Sequence, residues 1–200
     1  VYDVTVRGTT VTEDARESGS GNPWQDYALV LENAEFSAAN LVSICLALDR
    51  SNSMNTSGYV DVTRTSSKAF VDLMEADDRV GVVSFGDDGQ HEDSDNNEVA
   101  LITGTNIQED AKTAINNIHF SGCTYMGDGL TKAEQQLTNA PGDRAIVLMS
   151  DGKDNKGCEE NNPNRPWAVD VAAGLPAAID VYTCAMGPLS DQQKLEDIAL

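Results

Sequence analysis

An apolar run, Leu46-Ala47-Leu48, ends in a carboxylate that is followed by a hydroxyl at every second position: Asp49, Ser51 and Ser53. A strand that stops at Asp49 and turns sharply fans these side chains onto one side of a loop, where they present hard oxygen donors to a hard divalent cation such as Mg2+ or Ca2+. Three donors are too few for a six-coordinate ion. Two later segments place another oxygen side chain beside a glycine, Gly122-Cys123-Thr124 and Ser150-Asp151-Gly152. Taken singly, each of these residues reads as ordinary turn chemistry, since Asp, Ser and Asn populate loops and helix caps anyway.

The elements that must position them follow from hydrophobic pattern. Residues 41–49, 79–85, 144–149 and 179–185 are short, nearly continuous apolar runs, which suit strands buried on both faces of a parallel sheet. Between them, Ile107, Ala111, Ala114, Ile115 and Ile118 share one helical face, with Thr105 and Gln108 as a capping-box signature at its start. Leu130, Ala133 and Leu137 mark a second helix, and Pro166 fits the first position of a third over 168–173. Alternating strands and helices predict an α/β fold with a doubly wound, mostly parallel sheet flanked by helices. Ligands of such sheets bind outside the carboxyl ends of the strands, where Asp49 and Asp151 fall.

The spaced Asp49, Ser51 and Ser53, a loop threonine at Thr124 and the strand-terminal Asp151-Gly152 together resemble the von Willebrand factor A (vWA) family and its metal-ion-dependent adhesion site. The resemblance spans residues 41–200. It implies that Ser51, Ser53 and Thr124 contact the ion, that Asp49 and Asp151 bind it directly or through water, and that one position stays open for a ligand carboxylate. Asn52 stands where many relatives have glycine, and Cys123 replaces the second glycine of a common Gly-Gly-Thr; neither change removes a donor. The resemblance also predicts a short antiparallel edge strand over 98–102, joined to the preceding strand by an acidic loop over 87–97.

Residues 1–40 read as a β-rich appendage or the edge of a neighbouring β domain, because Tyr2, Val4 and Val6 alternate with polar residues and 27–31 is a second β-prone run. With 200 residues and 40% hydrophobic content, the chain can bury one full core. No apolar run approaches the ~20 residues needed to span a bilayer. The chain opens in strand-like sequence and stops inside a helical pattern at Leu200, so the expectation is a piece of a larger protein, truncated at its last helix. A net charge of −20 disfavours nucleic acid and anionic membranes as partners and favours cations and basic proteins, or else is simply a solvated acidic coat suited to saline surroundings.

Four cysteines allow three pairings if all are bridged. The family's sheet order puts a strand between Cys45 and Cys184, about 9 to 10 Å apart and too far to bridge; both read as buried small hydrophobes. Cys123 and Cys158 lie in two loops that the resemblance brings together at the ion. They are the disulfide candidate, and a bridge there would mark an oxidising compartment; the alternative is two reduced thiols in the cytosol. His91 and His119 have no partner at metal-ligand or catalytic spacing. The run Asp93, Asp95, Asn97 lacks the central glycine and distal glutamate of a calcium loop, so a solvated hairpin tip is the expectation.

Enzymatic readings are weak. An aspartyl-phosphate mechanism at Asp49 needs a carboxylate two residues on, where Ser51 stands, and a Cys123–His119 pair lacks an orienting third group. No catalytic residue is assigned. The expected function is a metal-dependent, adhesion-type module that captures an acidic side chain of a protein partner through Mg2+, Mn2+ or Ca2+, outside the cell or at its surface. The alternative is a cytoplasmic accessory subunit of a chelatase-like or other ATPase complex. Residues 52–59, 124–128 and 153–167 would rim the site, with Trp167 as a contact residue or as packing.

Overall fold

The apolar run ending at Asp49 is strand β1, Val42–Asp49, and it occupies the middle of the sheet. The computed structural model describes residues 41–75, 77–86, 95–102, 107–152, 167–187 and 190–199. By contacts the chain divides into two units, Val1–Ala38 and Ala39–Leu200. The first, where the β appendage is expected, lies outside the described residues.

Beside β1 stand β2 (Arg79–Phe85) and β4 (Asp143–Ser150), both parallel to it; β5 (Ile179–Ala185) runs parallel to β4 and β3 (Asp95–Ile102) antiparallel to β2. Among the described residues the order is β3-β2-β1-β4-β5. β1 is buried on both faces because its side chains alternate between two cores. Cys45 and Ala47 face one with Val83, Phe85, Ile146 and Leu148; Leu46 and Leu48 face the other with Val80, Val82 and Met149. Helices α4 (Met126–Leu137), α5 (Ala168–Ala173) and α6 (Gln192–Ile198) close the first core. The second is closed by α1 (Asn52–Thr56), α2 (Val60–Val71) and α3 (Ile107–Asn117). This is the expected doubly wound architecture.

Glycine lets α4 lie against the sheet. A Cβ at Gly129 would collide with the Phe85 side chain, its Cγ at 2.7 Å, so only glycine permits this approach. No described helix is long and apolar enough to cross a membrane.

Several expectations shift. The edge strand is antiparallel as predicted but begins at Asp95, so Asp95 and Asn97 pair with Phe85 and Val83 in a ladder rather than lying in a loop; residues 87–94, with His91 and Asp93, lie outside the described residues. The expected rim loop 52–59 is largely the helical turn α1. Trp167 occupies the N-cap position of α5, which starts at Ala168, and Pro166 lies outside the described residues. Thr105 lies outside the described residues, and Gln108 Nε2 donates to Met74 O at 2.7 Å, tying α3 to the segment after α2. Cys45 and Cys184 are free and separated by β4 as predicted, but Cys184 is exposed rather than buried, because it alternates with Val181 and Thr183 onto the face of β5 that no described helix covers.

Candidate metal centre

The register that pairs Leu48 with Met149 brings the next residues, Asp49 and Ser150, to adjacent strand ends. Ser150 Oγ donates to Asp49 Oδ2 at 2.6 Å, and the Ser51 N–H donates to Asp49 Oδ1 at 2.8 Å. Both oxygens of this fully buried carboxylate are therefore oriented by the protein. The turn that returns Ser51 to Asp49 also places Ser51 Oγ 3.0 Å from Ser53 Oγ, at the start of α1.

Thr124 arrives through backbone stitching. Ser121 N donates to Arg50 O at 2.7 Å and Asn52 N to Gly122 O at 2.8 Å, so the segment before α4 runs alongside the turn after β1 and Thr124 is buried there. Arg50 supports this turn from beneath. Its N–H donates to Phe85 O at 2.9 Å, and its buried guanidinium donates through Nη2 to Gly86 O at 2.8 Å.

Asp151, also buried, follows Ser150 and is fixed from two sides. Gly152 N donates to Ser150 Oγ at 2.9 Å, while Asp191 N donates to Asp151 O at 2.9 Å. Gly152 has φ +77°, the left-handed region, and a Cβ there would sit 2.8 Å from Asp191 O.

The electrostatics oppose charge on Asp49. Burial pushes its carboxyl from the ordinary 3.8 up to about 6; bonds from Ser150 and Ser51 pull the other way, and the neighbouring Asp151 charge adds to the rise. A divalent cation would reverse that balance. The donor set fits one, since carboxylate and hydroxyl oxygens are hard ligands suited to Mg2+, Ca2+ or Mn2+ rather than to softer metals. Among the described residues no group of three or more His, Cys, Asp or Glu could hold a metal, so a site here depends on its hydroxyls.

All five predicted residues thus lie at the carboxyl end of the sheet, four buried and Ser53 half-buried. Cys158 lies outside the described residues, as does most of the third rim segment. His119 is an exposed histidine, as expected. Trp167 is 44% exposed, with Lys194 Nζ 5.5 Å from its ring centroid. Ser150 and Arg50 are the residues that sequence reasoning missed. Ser150 could have been found from parallel register, which sets the residue before Asp151 beside Asp49; no spacing signals the burial of Arg50.

The chain belongs to the von Willebrand factor type A domain family, whose model matches residues 43–200. Among curated proteins, none matches the chain significantly. Solved structures show the same fold. The pilus adhesin SpaC of Lactobacillus rhamnosus GG (open conformation) is 16% identical with a TM-score of 0.64, covering 82% of this chain and 27% of its own. Proximal thread matrix protein 1 of the mussel byssus is 20% identical, TM-score 0.64, covering 80% and 40%. A von Willebrand factor type A protein of Catenulispora acidiphila is 21% identical, TM-score 0.64, covering 82% and 37%. The chain spans less than half the length of each.

Proposed function

We propose that this vWA unit is a metal-ion-dependent protein-binding module of the adhesion type. Asp49, Ser51, Ser53, Thr124 and Asp151 hold Mg2+, Mn2+ or Ca2+, and an acidic side chain of a partner protein fills the remaining position. One observation carries the reading: a buried carboxylate gripped at both oxygens, beside a second buried carboxylate and a contacting pair of serine hydroxyls.

Each residue has a task. Asp49 and Asp151 supply the charge that draws a cation into a buried position and just balance it, while the serine and threonine hydroxyls supply neutral donors, so no excess negative charge from the protein repels an incoming carboxylate. Bound there, the cation supplies the Lewis acidity that a ligand carboxylate recognises. Without it, a chain of net charge −20 repels an acidic partner. Ser51 and Ser53 hold one another in place, and the stitched segment 121–122 holds Thr124, so little ordering is required on binding.

An extracellular or cell-surface setting is supported by the likeness to a pilus adhesin and a byssus matrix protein. A cytoplasmic ATPase accessory subunit remains the competing reading, separated by whether Cys123 and Cys158 are oxidised. Calorimetric titration of Mg2+ tests the site: the chain binds, and Asp49→Ala and Asp151→Ala lose measurable binding. Undiminished binding in both variants refutes the assignment.

A further inference from the structure

Ser150 is buried and is not among the five proposed ligands, yet its side chain is bonded to both acidic segments. A serine hydroxyl has one hydrogen to give. Here that hydrogen goes to Asp49 Oδ2 at 2.6 Å, and a lone pair of the same oxygen takes the Gly152 N–H at 2.9 Å. The Asp49 carboxylate, last in β1, and the backbone immediately after Asp151 are thereby referenced to one atom. Asp49 Oδ1 is anchored separately by the Ser51 N–H, and the Ser51 hydroxyl also acts on the carboxylate, so removing the Ser150 hydroxyl takes away the bond that fixes Oδ2 and leaves the group held from the Ser51 side alone.

We propose that Ser150 is a positioning residue that sets the spacing of the Asp49 and Asp151 carboxylates and thereby makes the site prefer Mg2+ over Ca2+. The inference rests on the metal-binding reading above. Its physical basis is the difference between the ions: Mg2+ demands near-ideal octahedral geometry at about 2.0 to 2.1 Å, whereas Ca2+ accepts irregular oxygen shells at about 2.3 to 2.6 Å. A carboxylate that can rotate still serves the larger ion. For the smaller one it no longer does.

The experiment measures Mg2+ and Ca2+ affinities of the full chain by calorimetry for the wild type, Ser150→Ala and Ser150→Thr. Loss of an outer-shell hydrogen bond to a metal ligand lowers affinity by about 10- to 100-fold. Ser150→Ala is expected to lose Mg2+ binding on that scale and Ca2+ binding by a much smaller factor, while Ser150→Thr, which keeps the hydroxyl, holds the wild-type ratio. Where Ser150→Ala fails to fold in chelator, Ser150→Cys replaces it, keeping the atom count with a weak donor. An Mg2+/Ca2+ ratio unchanged in the Ala or Cys variant overturns the positioning role while leaving the site standing. A wild type that binds neither ion overturns both.

Discussion

Asp191 donates its N–H to the Asp151 carbonyl at 2.9 Å and, with the same residue, caps α6 by accepting from Lys194 N at 3.2 Å. The segment that carries a proposed ligand and the start of a helix are thus fastened at one residue. Gly152 is what lets them meet, because its left-handed backbone and missing Cβ leave room for Asp191.

Gly152→Ala is expected to destabilise the metal-free protein by about 1 to 3 kcal/mol, from backbone strain together with displacement of Asp191. At this size that corresponds to a fall in Tm of several degrees, on the order of 2 to 4 °C per kcal/mol. Thermal melts in chelator check it. An unchanged Tm would mean that the 151–152 turn relaxes without cost.

Asp49 makes stability depend on pH in the absence of metal. Its folded pKa, about 6, lies above its ordinary 3.8. The native state therefore holds the proton more tightly than the unfolded state, its stabilising contribution is complete below about pH 4, and it is lost as pH rises through 6. The loss is about 3 kcal/mol for a shift of roughly two units. In chelator, wild type should lose stability relative to Asp49→Asn between pH 4 and 6.5, by urea unfolding at each pH. A difference that stays flat across this window would sink the assignment. Metal affinity should rise over the same interval, since proton and cation compete for one carboxylate.

Cation binding should raise Tm. A ligand that binds only the folded state adds RT ln(1 + [L]/Kd), or ~2.7 kcal/mol at a hundredfold excess. Calorimetric scans with Mg2+ and with chelator would show it, and identical curves would argue against a preformed centre.

Cys123 sits between Gly122, whose carbonyl receives the Asn52 N–H, and Thr124. If it is bridged to Cys158, the Thr124 segment is tied to the segment after Asp151, and reduction weakens cation binding while the sheet survives. The closed loop of about 35 residues contributes roughly 3 to 4 kcal/mol in the chain-entropy model. Mass spectrometry of an unreduced digest decides between a linked peptide pair and two free thiols, and free thiols favour the cytosolic reading.

The strands are legible in the sequence because strands buried on both faces leave nearly continuous apolar runs, as 79–85 and 144–149 do. Helix α2 is not. Its buried stripe, Thr63, Ser67 and Val71 at four-residue spacing, is mostly polar, with Thr63 Oγ1 returning to Tyr59 O at 2.9 Å and Ser67 Oγ reaching Met149 Sδ at 3.3 Å, so no apolar period announces it. The candidate ligands were legible as residue types at meaningful intervals. The atoms that aim them were not, because Ser150 and Arg50 act through partners far along the chain or through backbone carbonyls, and neither leaves a local pattern.

The bond between Ser150 and Asp49 joins residues 101 positions apart. During synthesis the first three candidate oxygens therefore emerge long before the hydroxyl that orients them, by about 5 to 20 seconds at typical elongation rates. A growing chain that displays Asp49, Ser51 and Ser53 has no β4 to lie beside. On the proposed reading, cation capture would come after the early stages of folding and would reward a sheet already assembled through β4, which would make the ion a late inspector of the fold rather than its nucleus.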